Sequence, residues 1–143
     1  MIVVNRGLPL LVLGLTLATS QHSQAQSGRL QGAWLEEGSS CASVFRATPN
    51  GVAFKRPASA FVAAFIISGN QLSTPLATCR LAGVSPNGPR QVIRLSCTTS
   101  VATETARVVL APADDGGLYR YHSEEGGIAS KYQRCTQDGL KAP

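Results

Sequence analysis

Four cysteines, Cys41, Cys79, Cys97 and Cys135, constrain this 143-residue chain more than any other feature. Their successive spacings are 38, 18 and 38 residues. Zinc ligands usually come in pairs two to four residues apart, and no such pair occurs here. An even number of widely spaced cysteines reads instead as two disulfides, which persist in exported proteins rather than in a reducing cytosol.

Between Leu30 and Cys135 the chain consists of short β-branched and aromatic runs separated by turn clusters, without a long stretch of helical periodicity. The expected strands are Leu30 to Leu35, Ala42 to Thr48, Val52 to Lys55, Phe61 to Ile67, Ala77 to Val84, Gln91 to Thr98, Ala106 to Leu110, Leu118 to Ser123 and Ala129 to Arg134. Turn chemistry falls between them at Pro49-Asn50-Gly51, Ser68-Gly69-Asn70, Pro86-Asn87-Gly88-Pro89, Asp114-Asp115-Gly116-Gly117 and Glu125-Gly126-Gly127. Ala60 to Ile67 is apolar on both strand faces, and Pro57, Ser59 and Gly69 would also suit a two-turn helix there. The tail after Cys135 reads as a loose end. The fold class expected is all-β: an antiparallel barrel or curved sandwich of about eight strands with two disulfides.

Strand alternation bears on the pairing of the cysteines. Cys79 is in phase with Leu81, and Cys97 with Ile93 and Leu95, so both sulfurs point to the apolar side. A hairpin centred near Gly88 sets Cys79 opposite Cys97, which favours that pair and leaves Cys41 with Cys135. The other two connectivities remain open at this stage.

The N-terminal segment carries one cation, Arg6, then an apolar stretch from Leu8 to Ala18, then a polar segment ending in Ser23-Gln24-Ala25. The apolar stretch is too short to span a bilayer, and this layout is that of a signal peptide cleaved after Ala25. The expected mature protein is a single domain of residues 26–143, periplasmic or extracellular, with no stable membrane insertion after cleavage. No cysteine stands at the cleavage site to take a lipid. Removing Arg6 leaves 12 Lys plus Arg against 8 Asp plus Glu, a net charge of +4. A modest positive charge suits an acidic partner and ordinary solubility equally well.

Catalytic constellations are sparse. His122 is the only histidine of the mature part, no Gly-x-Ser-x-Gly elbow accompanies it, and the acid pairs Glu36-Glu37, Asp114-Asp115 and Glu124-Glu125 flank glycine turns, where carboxylates are normally solvated. No phosphate-cradling glycine loop or dinucleotide fingerprint is present. The expectation is therefore no enzyme, no metal and no cofactor. Arg80, Arg94 and Arg107 fall on three successive strands, out of phase with their apolar neighbours, and form a candidate outward row for binding carboxylates or phosphates. Aromatic residues do not interleave with them, so nucleic acid is not expected as a partner.

Gly32-Ala33-Trp34, with the only tryptophan, resembles the start of lipocalin-like barrels, in which the indole plugs one end. Continued through Leu35, Cys41 and Val44-Phe45, and joined by Ala113 to Leu118, Gly126-Gly127 and Tyr132-Gln133-Arg134 near the far end, the pattern is similar to the bacterial inhibitors of secreted metalloproteases. That resemblance covers about a third of the mature chain. It implies that the residues before the first strand, here Gln26, Ser27, Gly28, Arg29 and Leu30, reach into a protease cleft. The family has one disulfide, whereas this chain has a second cysteine pair and lacks a central second tryptophan. The expected function is a binding protein outside the cytoplasm, a stoichiometric inhibitor of an exported protease or other hydrolase. The alternatives are a carrier of a small apolar or anionic ligand, with Trp34, Phe45, Phe54, Phe61 and Phe65 lining its cavity, or a structural protein of the cell envelope.

Overall fold

The structure, a computed structural model, describes residues 28–141. The apolar N-terminal segment, its junction after Ala25, and Gln26 and Ser27 lie outside the described residues. Eight antiparallel strands close into a barrel in the order β1 (Gly32–Glu36), β4 (Ala64–Ser68), β5 (Gln71–Ser73), β6 (Thr78–Asn87), β7 (Arg90–Thr98), β8 (Thr103–Pro112), β9 (Leu118–Tyr121) and β10 (Ala129–Cys135), with β10 returning to β1. Apart from that closure and the step from β1 to β4, neighbours in the barrel are neighbours in sequence. Into that step is inserted a single helical turn, α1 (Cys41–Val44), and a hairpin of β2 (Phe45–Thr48) and β3 (Gly51–Phe54). A short helix, α2 (Gln137–Lys141), follows β10. Among the described residues no helix is long and apolar enough to cross a membrane.

The alternation of each strand sorts its side chains between the inside and the outer wall. Trp34, Phe65, Ile67, Leu72, Ile93, Leu95, Leu110, Leu118 and Tyr132 fill the inner cluster. The opposite phase of β1, β4 and β10, carrying Ala33, Leu35, Ala64 and Cys135, packs outward against Phe45 and Phe54 of the hairpin. This second layer explains why Ala60 to Ile67 lacks a polar face. From Ala64 onward it is a strand buried on both sides, inside by the barrel and outside by the hairpin, and no helix forms. The Phe45 and Phe54 rings lie 5.1 Å apart in that outer layer.

Both disulfides join the expected partners, Cys79 with Cys97 and Cys41 with Cys135. The first crosses between β6 and β7 inside the barrel, and the second ties α1 to the last strand on the outer wall. Their register has a cause that the sequence pattern leaves hidden. The β6–β7 turn places Asn87 opposite Arg90, and that register carried along the strands would set Cys79 against Thr98. One extra residue, Ala82, lies between the pairs Leu81–Leu95 and Gly83–Arg94, and this β-bulge restores Cys79 opposite Cys97.

Four sequence expectations are corrected. The strand expected from Ala42 begins only at Phe45, because Ser40 and Ser43 form a local turn in which the Ser43 amide and hydroxyl both donate to the Ser40 carbonyl, at 3.1 and 2.6 Å. The strand expected from Phe61 begins at Ala64, leaving Phe61 98 % exposed. Gln71–Ser73 forms a strand of three residues, too short for alternation to reveal. The tail is held down, since the Gln137 side chain donates to the Thr48 carbonyl and Leu140 packs into the outer layer.

One end of the barrel is sealed. Residues 28–30 make a helical turn beneath it, Leu30 is buried, and the Trp34 indole, itself fully buried, donates to the Leu30 carbonyl at 2.9 Å. Opposite Trp34 on β10 stands Arg134, whose guanidinium lies 4.3 Å from the indole ring centre and donates to the carbonyls of Gln31 and Arg29. Burial lowers the Arg134 pKa, yet a guanidinium stays cationic. Gly32 is required at this place on two counts: its φ is +133°, and a Cβ there would come within 2.5 Å of Arg134. The Gln31 side chain completes the seal by accepting from the Gly69 amide at 2.7 Å and donating to its carbonyl at 3.0 Å.

Deleting Ala82 removes the bulge and should leave Cys79 and Cys97 unable to pair, so thiol titration of the unfolded protein should count two free thiols where the parent has none. Replacing Arg134 by Gln should cost about 2–4 kcal/mol in denaturant unfolding, through the lost cation–π contact and two charge-assisted hydrogen bonds. Arg134→Lys should recover little of it, because a point charge cannot stack and reach both carbonyls.

Candidate functional site

The sealed end and the opposite end are built differently. Turns 69–70, 88–89 and 113–117 and the N-terminal turn lie at the sealed end, while loops 55–63, 74–77, 99–102 and 122–128 lie at the other. Toward the sealed end Trp34, Ile93, Leu110 and Leu118 pack without accessible surface. Toward the other end the interior is hollow. A cavity of about 340 Å³ opens there, walled by Phe65, Leu95, Tyr132, the Cys79–Cys97 disulfide and the residues of loops 55–63 and 74–77. That volume lies at the lower end of ligand pockets, about 300–1,000 Å³.

Four residues with polar side chains line this space: Thr74, whose hydroxyl is bonded within its own turn, Arg107, which pairs with Glu124, and Arg120 and Tyr132. Arg120 shares the inward phase of β9 with Leu118, opposite Leu110 of β8 and Ser130 of β10. Tyr132 lies diagonally beside it on the inner face of β10, with its ring 5.2 Å from Phe65. Neither the Arg120 guanidinium nor the Tyr132 hydroxyl has a hydrogen-bond partner among the described residues. A cation that needs no internal partner beside an apolar pocket is equipped to bind an anionic head whose apolar part enters the barrel. Nothing in the sequence marks Arg120, since alternation in Leu118-Tyr119-Arg120-Tyr121 sets two tyrosines on one face against Leu118 and Arg120 on the other. In the structure those tyrosines face outward, Tyr121 under the Arg90 guanidinium at 3.5 Å and Tyr119 beside Lys131.

The arginines expected as a row do face outward, but they do not converge. Arg94 and Arg107 stand directly opposite each other on β7 and β8, and Arg107 pairs with Glu124 at 2.9 Å. Arg94 lies across Gly83, where a Cβ would come within 2.5 Å of its guanidinium. Arg80 sits one step nearer the open end, opposite Ser96.

Of the segment expected to enter a protease, Gly28 and Arg29 are exposed, whereas Leu30 is buried beneath Trp34. Of the aromatics expected to line a cavity, only Phe65 does so in the barrel. Trp34 seals the far end, Phe45 and Phe54 belong to the outer layer, and Phe61 is exposed. A second hollow of about 470 Å³ lies outside the barrel, between its wall and loop 55–63, with Glu36, Glu37 and Lys55 along it. Glu37 is engaged there by Lys131 at 3.5 Å. Lys131 also binds Asp115, and this pairing holds the Asp115 carboxyl below its ordinary pKa and raises that of Lys131.

His122 is exposed, and its Nε2 lies 3.4 Å from the Ser130 hydroxyl, at the long end of hydrogen-bond distance. Glu124, the nearest carboxylate in sequence, is bound to Arg107 instead, so no third group among the described residues orients the imidazole. No group of three potential metal ligands occurs among the described residues. Comparison with known proteins gives no match to this chain, whether by family model, curated protein or solved structure.

Proposed function

We propose that this chain is an exported carrier of a small amphipathic anion, a molecule with one apolar group and a carboxylate or similar head. The observation that carries this reading is the unequal filling of the barrel, packed solid beneath Trp34 and hollow above, with the unpaired Arg120 at the hollow. The two disulfides support work in an oxidising compartment, in keeping with the signal-like N-terminal segment. The apolar group enters between Phe65, Leu95 and the Cys79–Cys97 bridge, and the head meets Arg120 and the Tyr132 hydroxyl near the mouth. Binding and release involve no covalent step.

Titration calorimetry with a medium-chain alkyl carboxylate and with the alcohol of the same chain length tests this directly. The carboxylate should bind about tenfold or more tightly than the alcohol, the charge-assisted hydrogen bond being worth about 1.5–3 kcal/mol. Arg120→Gln should bring the two ligands together. Ala77→Phe, which fills the cavity from the loop residue just before β6, should abolish binding of both while the far-ultraviolet circular dichroism stays that of a folded barrel. Equal binding of carboxylate and alcohol to the parent protein, or binding untouched by Ala77→Phe, would remove the carrier reading.

A further inference from the structure

Among the described residues five large apolar side chains are exposed, and four of them, Phe61 (98 %), Leu76 (67 %), Val101 (90 %) and Ile128 (76 %), stand on the four loops around the open end. Each loop contributes one. Each tip is flanked on both sides by two uncharged, mostly small residues: Ser59-Ala60 and Val62-Ala63, Thr74-Pro75 and Ala77-Thr78, Thr99-Ser100 and Ala102-Thr103, Gly126-Gly127 and Ala129-Ser130.

The loops that carry these tips also satisfy their own backbone. Between β5 and β6, the Thr74 hydroxyl accepts from the amides of Leu76 at 3.3 Å and Ala77 at 3.0 Å, and the Thr74 amide donates to the Ala77 carbonyl at 2.8 Å. Between β7 and β8 the same turn recurs: Thr99 accepts from Val101 at 3.3 Å and Ala102 at 3.2 Å, and donates to the Ala102 carbonyl at 2.9 Å. Ser59 accepts from the Phe61 amide at 3.3 Å, and Ser123 from the Gly126 amide at 2.8 Å in the loop that bears Ile128. In three of the four loops, then, the amide of the apolar residue is bonded to a hydroxyl two positions earlier.

We infer that the open end docks on the surface of a lipid bilayer, with Phe61, Leu76, Val101 and Ile128 entering the boundary between headgroups and acyl chains. An amide removed from water costs free energy unless it is bonded, and these loops bring their own acceptors. A protein partner would leave the tips standing apart around a hollow, whereas a fluid interface receives four separate wedges without a matching surface. Carboxylates such as Glu37, Glu104 and Glu125 are interspersed at this end with cations such as Arg56, Arg107 and Arg120, so insertion of apolar side chains, rather than lipid charge, drives the contact. The inference does not rest on the cavity holding a ligand.

The test uses the protein recovered from an exporting host and phosphatidylcholine vesicles with brominated acyl chains, which quench tryptophan at the depth of the bromine. Phe61→Trp, Leu76→Trp, Val101→Trp and Ile128→Trp, made singly, should each give quenching above the parent, whose fully buried Trp34 supplies the baseline. Asp114→Trp, at the sealed end, should give none. A variant with all four tips changed to Ser, all four positions being exposed and therefore neutral for folding, should lose about a hundredfold or more in vesicle partitioning. The contact should persist at high salt. Quenching no greater than the Trp34 baseline at all four tips, equal quenching at Asp114→Trp, or unchanged partitioning of the four-Ser variant would each overturn the inference. So would tips that become protected only with rising protein concentration and without lipid, since that would mark a second copy as the occupant.

Discussion

The barrel exists because β1 is hydrogen-bonded on both sides, to β4 and to β10, and the contact between Trp34 and Arg134 is what fixes it there. An eight-stranded sheet left open would present two unpaired edges, each a template for aggregation. Closing it requires the first strand to meet the last in one register. The stacked indole and guanidinium occupy directly opposed positions in that register, and a slip of one residue by either strand would put them on opposite faces of the wall. The glycine two residues before Trp34 gives the guanidinium its space, and the carbonyls at and before Gln31 receive its protons. The sealed end, the orientation of β1 and the placing of the outer layer all follow from that one meeting.

Much of this was legible in the sequence, and the parts that were not have physical reasons. The period of two in Gln91 to Thr98 and the turn at Gly88-Pro89 were enough to pair the cysteines, and all nine expected strands are present in some form. A compensation lies behind that pairing, since the true turn centre sits half a residue beyond Gly88 and the bulge at Ala82 offsets the difference. Ala60 to Ile67 was ambiguous because two layers bury it, one of which, the β2–β3 hairpin, cannot be foreseen from alternation. The candidate site was far less legible. Arg120 shares its strand with two tyrosines, and the choice of inward phase depends on the closed barrel setting it against Leu110 and Ser130. The outward arginines were visible for the opposite reason, since alternation shows a solvent-facing row directly.

Stability and openness are divided between the two ends of one cylinder. The sealed end concentrates the large, fully buried side chains, each contributing about 1.5–3 kcal/mol, and the outer layer adds a second apolar cluster bound by Cys41–Cys135. The far end is relieved of packing duties, so it can hold a cavity walled by a disulfide and by small residues. This division also explains why the longest loops and the exposed apolar tips gather where the core is thinnest.

The inserted hairpin and the meander after it impose an order of events on the chain. From β4 to β10 every pairing is between sequence neighbours and can form as soon as both strands are present. The pairing of Ala33 with Cys135 spans nearly the whole domain, and contacts so distant in sequence form late. Arg134 and Cys135 lie side by side at the end of β10, so the stacking on Trp34 and the bond to Cys41 both wait for the same two residues. Until they arrive, a newly made chain is an open sheet with two bare edges, and any chain that stops short of Arg134 stays one.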